Sequence, residues 1–309
     1  MDHFLSQRVL ACVCVSMASF LITGCGSVSA VHKAPTYNLH GKPQMSGAVV
    51  RSELRFKLSE GNILITVGDR TIQGQMDMSG LQVTEDEVMA FAEERPAVVK
   101  VRYVTDQMET RQAIGDKVSE GSERGPLHGR TVIGEMVSDH WRFKMAQGNP
   151  TRLQTQALRE LAGDFGAEFY PARPLSVGES WEVPAQAVKR WLGHDLIRSE
   201  GTAVLTLEKI TEHEGERCAK VLMEISAGGS MLDPDGNELE ITIGVDGYIY
   251  RSLETYVDLA GEMEGLMILE GEVKQDGSLI GIKVTGPIRV SGSNKLKHPE
   301  SAARRVRPR

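Results

Sequence analysis

From residue 47 onward the chain is built of short runs in which apolar and polar residues alternate with period two, the signature of strands with one buried face. In the first half these are GAVVRSELRFKLS, NILITVGD and RTIQGQMDMSG (47–80), punctuated by turn signals at Glu60-Gly61 and Gly68-Asp69. AVVKVRYVTDQMETRQ (97–112) follows, placing Val99, Val101, Tyr103 and Thr105 on one face. GDKVSEGSERGPLHGR reads as a loop or hairpin connection, and RTVIGEMVSDHWRFKMA (130–146) as a hairpin turning at Ser138-Asp139. The second half is more regular. GTAVLTLEKI, RCAKVLMEIS, ELEITIGV, GYIYRSLETYVDL, LMILEGEV and LIGIKVTGPIRV are joined at His213-Glu214-Gly215, Asp233 to Asn237, Asp246-Gly247 and Asp276-Gly277. Asp-Gly between alternating runs is a strong hairpin signal, so the region predicts an antiparallel meander of about six strands.

Three stretches predict helix. Thr84 and Glu87 match a capping box, in which hydroxyl and carboxylate satisfy each other's free backbone amides; the predicted helix spans 85–94 and stops at Pro96. Asn149-Pro150 opens a second in TRLQTQALRELAGDF, with Leu153, Ala157, Leu158 and Leu161 at helical spacing and Gly163 ending it. A third, short one is predicted at 184–192. No long helices separate the strands, which excludes a doubly wound parallel sheet. The expected fold is mainly β (α+β): a large antiparallel curved sheet or half-barrel with two or three short helices. The expected organisation is a leader (1–24), a flexible tether (25–46) broken by Pro35 and Pro43, a β-rich half with helices (47–168), the meander (169–293), and a basic disordered tail (294–309).

The leader rests on VLACVCVSMASFLI (9–22), a largely apolar run preceded by Arg8. A bilayer-spanning helix needs about 20 such residues, whereas a secretory signal needs roughly 7–15, so the length fits export. The run ends in Ile22-Thr23-Gly24-Cys25, which resembles the lipobox of bacterial lipoproteins. That resemblance implies cleavage after Gly24, attachment of a diacylglycerol to the Cys25 sulfur, acylation of the freed amine, and anchoring in the cell envelope. Gly26 after the cysteine, where an Asp in enteric-type bacteria signals inner-membrane retention, makes the outer membrane facing the periplasm the default. A plain secretory signal with an incidental cysteine is the alternative.

Pro174-Leu175-Ser176-Val177-Gly178-Glu179-Ser180-Trp181 resembles an element of an uncharacterised family of exported β-rich bacterial proteins. There, as here, it precedes the C-terminal meander; proline and glycine set a turn and the tryptophan docks on the sheet. A lipid-anchored curved sheet with helices also resembles, in architecture only, the Lol-type lipoprotein carriers, and architecture does not transfer function.

The cysteines agree with this account. Cys12 and Cys14 lie in the leader and Cys25 at the lipid position, leaving Cys218 within RCAKVLMEI as a buried small hydrophobe with no partner for an intramolecular disulfide. The net charge of −7 and an aromatic content of 5% argue against nucleic-acid binding. From Asn294 the charge reverses: Lys295, Lys297, Arg304, Arg305, Arg307 and Arg309 stand against Glu300 alone. The tail is either a solvated end or a contact for an anionic envelope polymer or lipid head groups.

Candidate chemistry is sparse. Asp233 to Glu238 begins like a calcium loop, but Gly236 is fourth rather than sixth and Gly244 occupies the twelfth place, so it reads as a turn. No metal-ligating histidine spacing, nucleophile elbow, Walker loop or dinucleotide fingerprint is present. His128 reads as solvated in a glycine-rich loop. Glu262, Glu264, Glu270 and Glu272 alternate within strands and line one face; a solvated face is the plain reading and an acid/base pair the sharper one. Trp181 and His194 are the candidate ligand or structural residues; no catalytic residue, metal or cofactor is expected. The leading functional expectation is a lipid-anchored envelope protein of binding or structural type without catalysis. A carrier of lipid or another apolar ligand, with Met223, Met231, Met263 and Met267 as an adaptable lining, is the alternative, and an unrecognised hydrolase a second.

Overall fold

The computed structural model describes residues 35–41, 47–92, 95–138, 140–164, 169–184, 196–232, 237–275 and 278–297. The leader, Gly24, Cys25, residues 185–192 of the expected helix with His194, and the tail beyond Lys297 lie outside the described residues; Pro184, expected to begin that helix, ends a strand, and 294–297, expected to begin the tail, end another.

Fourteen strands and one helix are present among them: β1 (Thr36–Tyr37), β2 (Val49–Val67), β3 (Arg70–Ala92), β4 (Arg95–Ile114), β5 (Lys117–Arg124), β6 (Thr131–Val137), β7 (His140–Met145), α1 (Arg152–Asp164), β8 (Leu175–Ser176), β9 (Ser180–Pro184), β10 (Leu196–His213), β11 (Glu216–Leu232), β12 (Glu238–Ser252), β13 (Asp258–Gln275) and β14 (Ser278–Lys297). Twelve strands form one open antiparallel sheet in the order β7-β6-β4-β3-β2-β14-β13-β12-β11-β10-β9, with β5 paired to β4 beside β6; β1 and β8 form a separate pair. The expected large antiparallel sheet is thus observed, with one helix rather than two or three among the described residues. The β2–β14 ladder joins the first and second halves of the chain in a single sheet.

The strands are longer than the sequence runs because several expected turns are passed through. Glu60-Gly61 is not a hairpin turn but a bulge inside β2. Glu60 takes φ 52°, and the register slips between Leu58 and Gly61 against β3 and, on the other side, between Thr285 and Ile288 of β14 against β2. Gly61 and Gly286 approach so closely there that a Cβ on Gly286 would lie 2.7 Å from the Gly61 Cα, and Pro287, which has no N–H to give, falls where that ladder is interrupted. Asp246-Gly247 is likewise not a turn. It sits in mid-β12, with Asp246 opposite Glu224 and Glu264, and Gly247 opposite Met223 and Met263. The chain reverses instead at 253–257. The expected joints at Glu214-Gly215, Gly68-Asp69 and Ser138 are turns, and the pairs Leu232–Glu238 and Gln275–Ser278 close hairpins around the other two.

The expected helix at 85–94 is strand over its described residues 85–92. Residues 84–87 run between β2 and β4 and pair with both, Thr84 with Ser52 and Tyr103, Glu87 with Val49 and Lys100, and the stretch to Ala92 continues along β4. Two flanking strands satisfy backbone groups that a helix would satisfy internally, and the alternation of Thr84, Asp86 and Val88 with Glu85 and Glu87 suits a sheet with distinct faces. α1 carries the real capping box: Gln154 N donates to Thr151 Oγ1 at 3.2 Å while Thr151 N donates to Gln154 Oε1 at 2.9 Å. Leu158, Ala157 and Leu161 pack with Val101, Tyr103, Leu127 and Val132, whereas Leu153, expected on that face, is 66% exposed.

Alternation sets the main core. Leu58 and Ile63 of β2, Leu205 and Leu207 of β10, Val221 and Met223 of β11, Ile249 of β12, Met263 and Met267 of β13 and Val284 of β14 point to one side and form one cluster, joined by Leu39, Phe169, Tyr170 and Leu175. Several of these are fully buried, each contributing about 1.5–3 kcal/mol. Residues 35–41 and 169–176 cover one end of that interior.

Candidate functional site

The interior ends in a polar latch. Arg251 continues the inward-facing series of β12 and is buried, 6% exposed. Its Nε donates to the Leu39 carbonyl at 2.7 Å, Nη2 to the Gly41 carbonyl at 2.8 Å, and Nη1 to Asp258 Oδ1 at 2.8 Å. The guanidinium lies 3.9 Å over the Tyr170 ring, whose hydroxyl donates to the same Asp258 oxygen at 2.7 Å. Asn294 Nδ2 donates to the Asp258 carbonyl, and His40 Nδ1 meets the Tyr170 carbonyl at 3.2 Å. Burial opposes the charge on Arg251, but Asp258 and Tyr170 more than offset it and hold the guanidinium above the usual arginine range. Gly41 is required by close approach: a Cβ there would fall 2.5 Å from the Tyr256 ring.

The latch holds a segment that is also paired from its other side. Tyr37 and Thr36 pair with Leu175 and Ser176, inside the element that carries Trp181. Gly178 takes φ 86°, its N donates to the Leu207 carbonyl at 2.7 Å, and Leu207 N donates to Glu179 O at 3.0 Å, fastening the element to β10. The Ser176 N–H and then Arg173 hold the Glu179 carboxyl below its ordinary range. Trp181 stands opposite Leu205, donates from Nε1 to the Phe169 carbonyl at 3.1 Å, and packs on the core. Its docking on the sheet is as expected.

The other candidates are dispersed. Cys218 is fully buried and burial pushes its thiol up, which disfavours the reactive thiolate. Met223, Met263 and Met267 are core residues. Glu262, Glu264, Glu270 and Glu272 do share the outer face of β13. Glu262 and Glu264 pair with Arg289 and Glu270 with Lys283, an arrangement that ties the carboxylates to cations of β14. His128 is not solvated: half-buried, its Nδ1 lies 3.1 Å from Asp106 N and 3.0 Å from Asp106 O. Among the described residues no group of three His, Cys, Asp or Glu could hold a metal ion, and no helix is long and apolar enough to cross a membrane.

Two features escaped the sequence reading. One is the latch; its signal was an arginine at an inward position of an alternating strand. The other is Asp86, on the inward side of β3 between Val50 and Val101. Its Oδ1 is shut from solvent without a hydrogen-bond partner, and burial raises the carboxyl to about 6. The helix expected over 85–94 concealed its inward position.

Among known proteins, no family model matches the chain and no curated protein matches it. Solved structures similar to it include lipovitellin, described for its lipid–protein interactions, at 10% identity over 82% of this chain with a TM-score of 0.42. The chain spans 26% of the lipovitellin chain. DynF from the dynemicin biosynthesis pathway of Micromonospora chersina is 11% identical, with 92% of this chain and 95% of that one covered and a TM-score of 0.20. The outer membrane protein OprG of Pseudomonas aeruginosa is 8% identical, with 81% and 96% covered and a TM-score of 0.18. These scores are too low to carry an argument about function.

Proposed function

We propose that the protein is a lipid-anchored cell-envelope protein of binding or structural type, without catalysis, held at Cys25 in the outer membrane with its domain facing the periplasm. The lipobox Ile22 to Cys25 motivates the anchor. The observation that carries the reading further is the latch: the chain leading from Cys25 is seized at 35–41 by a buried arginine and by β8. A tether clamped in this way passes a membrane attachment on to a rigid body. Metabolic labelling with palmitate tests the anchor. The wild-type protein is expected to take up label and fractionate with membranes, and Cys25→Ser to do neither. Unlabelled wild-type protein in the cytosol or culture fluid overturns it.

A specific observation favours a second reading, a carrier of an apolar ligand. At the end away from the latch the inward face runs on past the core through Ile65, Ile72, Val67, Ile280 and Ile282, with Ile72 48% and Val67 41% exposed. Lipid extraction of the purified protein followed by mass spectrometry separates the readings: stoichiometric lipid beyond the Cys25 anchor favours the carrier, its absence the structural role.

A further inference from the structure

On the outer face, opposite Asp86 and Val88, β14, β2, β3 and β4 bring five cations together. One row runs Lys295, Arg51, Glu85, Arg102, and the next runs Lys297, Val49, Glu87, Lys100. Glu85 is shared by Arg51 at 3.1 Å, Lys297 at 3.1 Å and Arg102 at 3.5 Å, while Glu87 holds Lys100 at 2.9 Å. Lys297 first, then Arg51 and Arg102, outweigh burial and hold the Glu85 carboxyl below its ordinary range. Two carboxylates thus face five cations, and the side chains stay open to solvent, Arg102 at 60% and Lys297 at 53%. This excess of positive charge stands on a chain whose net charge is −7.

Its position matters as much as its sign. Asn294, next to Lys295, donates to the Asp258 carbonyl of the latch, and Gly47 N donates to Val88 O beside Glu87. The patch and the clamped segment 35–41 therefore occupy the same end of the sheet. Only nine residues lie between Cys25 and Pro35, a reach of at most about 35 Å when fully extended. The neighbouring turn between β10 and β11 carries Glu212, Glu214 and Glu216, so the end is electrostatically two-sided.

We propose that the Arg51, Lys100, Arg102, Lys295 and Lys297 surface rests on the anionic head groups of the bilayer that holds Cys25, fixing which side of the sheet faces the membrane. This rests on the lipid-anchor reading. Acyl chains already suffice for attachment; basic side chains near an anionic surface add attraction that acts over about a Debye length and is abolished by salt. The patch therefore sets orientation, keeping the acidic β10–β11 turn and the exposed Val67 and Ile72 at the far end away from lipid.

The test uses the full chain purified from membranes, with the mass of the Cys25 peptide measured first; an unmodified peptide defeats the anchor reading alone. The protein is placed in vesicles of phosphatidylcholine, or of phosphatidylcholine with about one-third phosphatidylglycerol, carrying a head-group energy acceptor. A donor dye sits either at Ser293→Cys, beside the patch, or at Asp69→Cys, at the far turn. Transfer from position 293 is expected to rise about twofold with phosphatidylglycerol and to return to baseline in about 1 M salt. The folded variant R51Q/K100Q/R102Q/K297Q is expected to lose the rise, and position 69 to show none. If the fourfold variant melts early, R102Q/K297Q with the salt titration of the wild type serves in its place. If Cys25 is unmodified, co-sedimentation of the same chain with the two vesicle types reads the patch. Equal transfer at both positions, indifference to phosphatidylglycerol, a response lost on removing residues 298–309 yet retained in the fourfold variant, or binding to soluble polyphosphate without any vesicle response would each overturn the proposal.

Discussion

Arg251 Nε and the Leu39 carbonyl, 212 residues apart in sequence, are joined by a 2.7 Å hydrogen bond in the buried end of the sheet. The guanidinium has three acceptors, each on a different group, and one aromatic face beneath it. Desolvating an arginine is costly, and only a complete set of partners offsets it. The arrangement therefore behaves as a unit, and removing one member strands the others.

Arg251→Ala leaves the carbonyls of Leu39 and Gly41 without this donor and leaves the Asp258 carboxylate with the Tyr170 hydroxyl but no cation. A loss of about 3–5 kcal/mol in urea unfolding is expected, the range for breaking a buried ion pair by removing one partner. Arg251→Lys keeps the charge but cannot reach three acceptors, and should fall in between. Limited proteolysis should cut within 35–41 in both variants while the wild type resists. A wild-type cleavage pattern in Arg251→Ala would show that the segment is held by other means.

Trp181→Phe tests the docking of the Pro174 to Trp181 element. The ring volume largely survives but the Nε1 donor to the Phe169 carbonyl is lost. The expected cost is about 1 kcal/mol, the net worth of a typical intramolecular hydrogen bond, read as a shift in the denaturation midpoint. A cost above that of Trp181→Ala would be inconsistent with this assignment.

Local sequence signals were legible where the surroundings agreed with them. The helix expected after Asn149-Pro150 is present and buries an apolar stripe on β4 and β6, its capping box being Thr151 and Gln154, a pair the sequence reading passed over. Thr84 and Glu87 carry the same signature, yet strands on both sides recruit them, and Glu87 pairs with Lys100 instead of a cap amide. The face of Val99, Val101 and Tyr103 was readable from alternation alone and is buried. Register and long-range pairing were not: nothing local announces that Arg251 meets Leu39, or that β14 lies beside β2. Trp181 was placed correctly, whereas Gly24, Cys25 and His194 lie outside the described residues and remain expectations.

Two glycines of β12 test why Asp246-Gly247 misled. A Cβ on Gly247 would lie 2.1 Å from the Glu262 carbonyl oxygen and 2.7 Å from the Met263 Cα, whereas Gly244 has no heavy atom within 4 Å of the corresponding position. Gly247→Ala should therefore destabilise by about 1–3 kcal/mol or more through overpacking. Gly244→Ala should be neutral or stabilise by about 0.5–1 kcal/mol through lost chain entropy. The contrast is one of space, since both positions lie within the same strand. Equal costs by thermal unfolding would contradict the register of β11, β12 and β13.

Asp86 gives the protein a pH dependence of unusual sign for a carboxylate. Burial between Val50 and Val101 raises its pKa from an ordinary 3.8 to about 6, so the folded state holds the proton more tightly than the unfolded chain. With more protons bound in the folded state, stability falls as pH rises. The contribution is intact below about 4, is lost between about 4 and 6, and stays lost above. Two pK units correspond to about 3 kcal/mol, and because the residue is only half-buried as a whole a loss on the order of 1–3 kcal/mol is expected. Glu85, Glu179 and Glu208, all held low by their partners, act in the opposite direction over the acid range, so the wild-type profile alone mixes the two. Asp86→Asn separates them, since its amide carries the same packing cost at every pH. Urea unfolding at matched ionic strength should find Asp86→Asn more stable relative to the wild type at pH 7.5 than at pH 4, by that amount. A difference between the two proteins that does not change with pH would mean that the carboxyl is not held in an apolar setting.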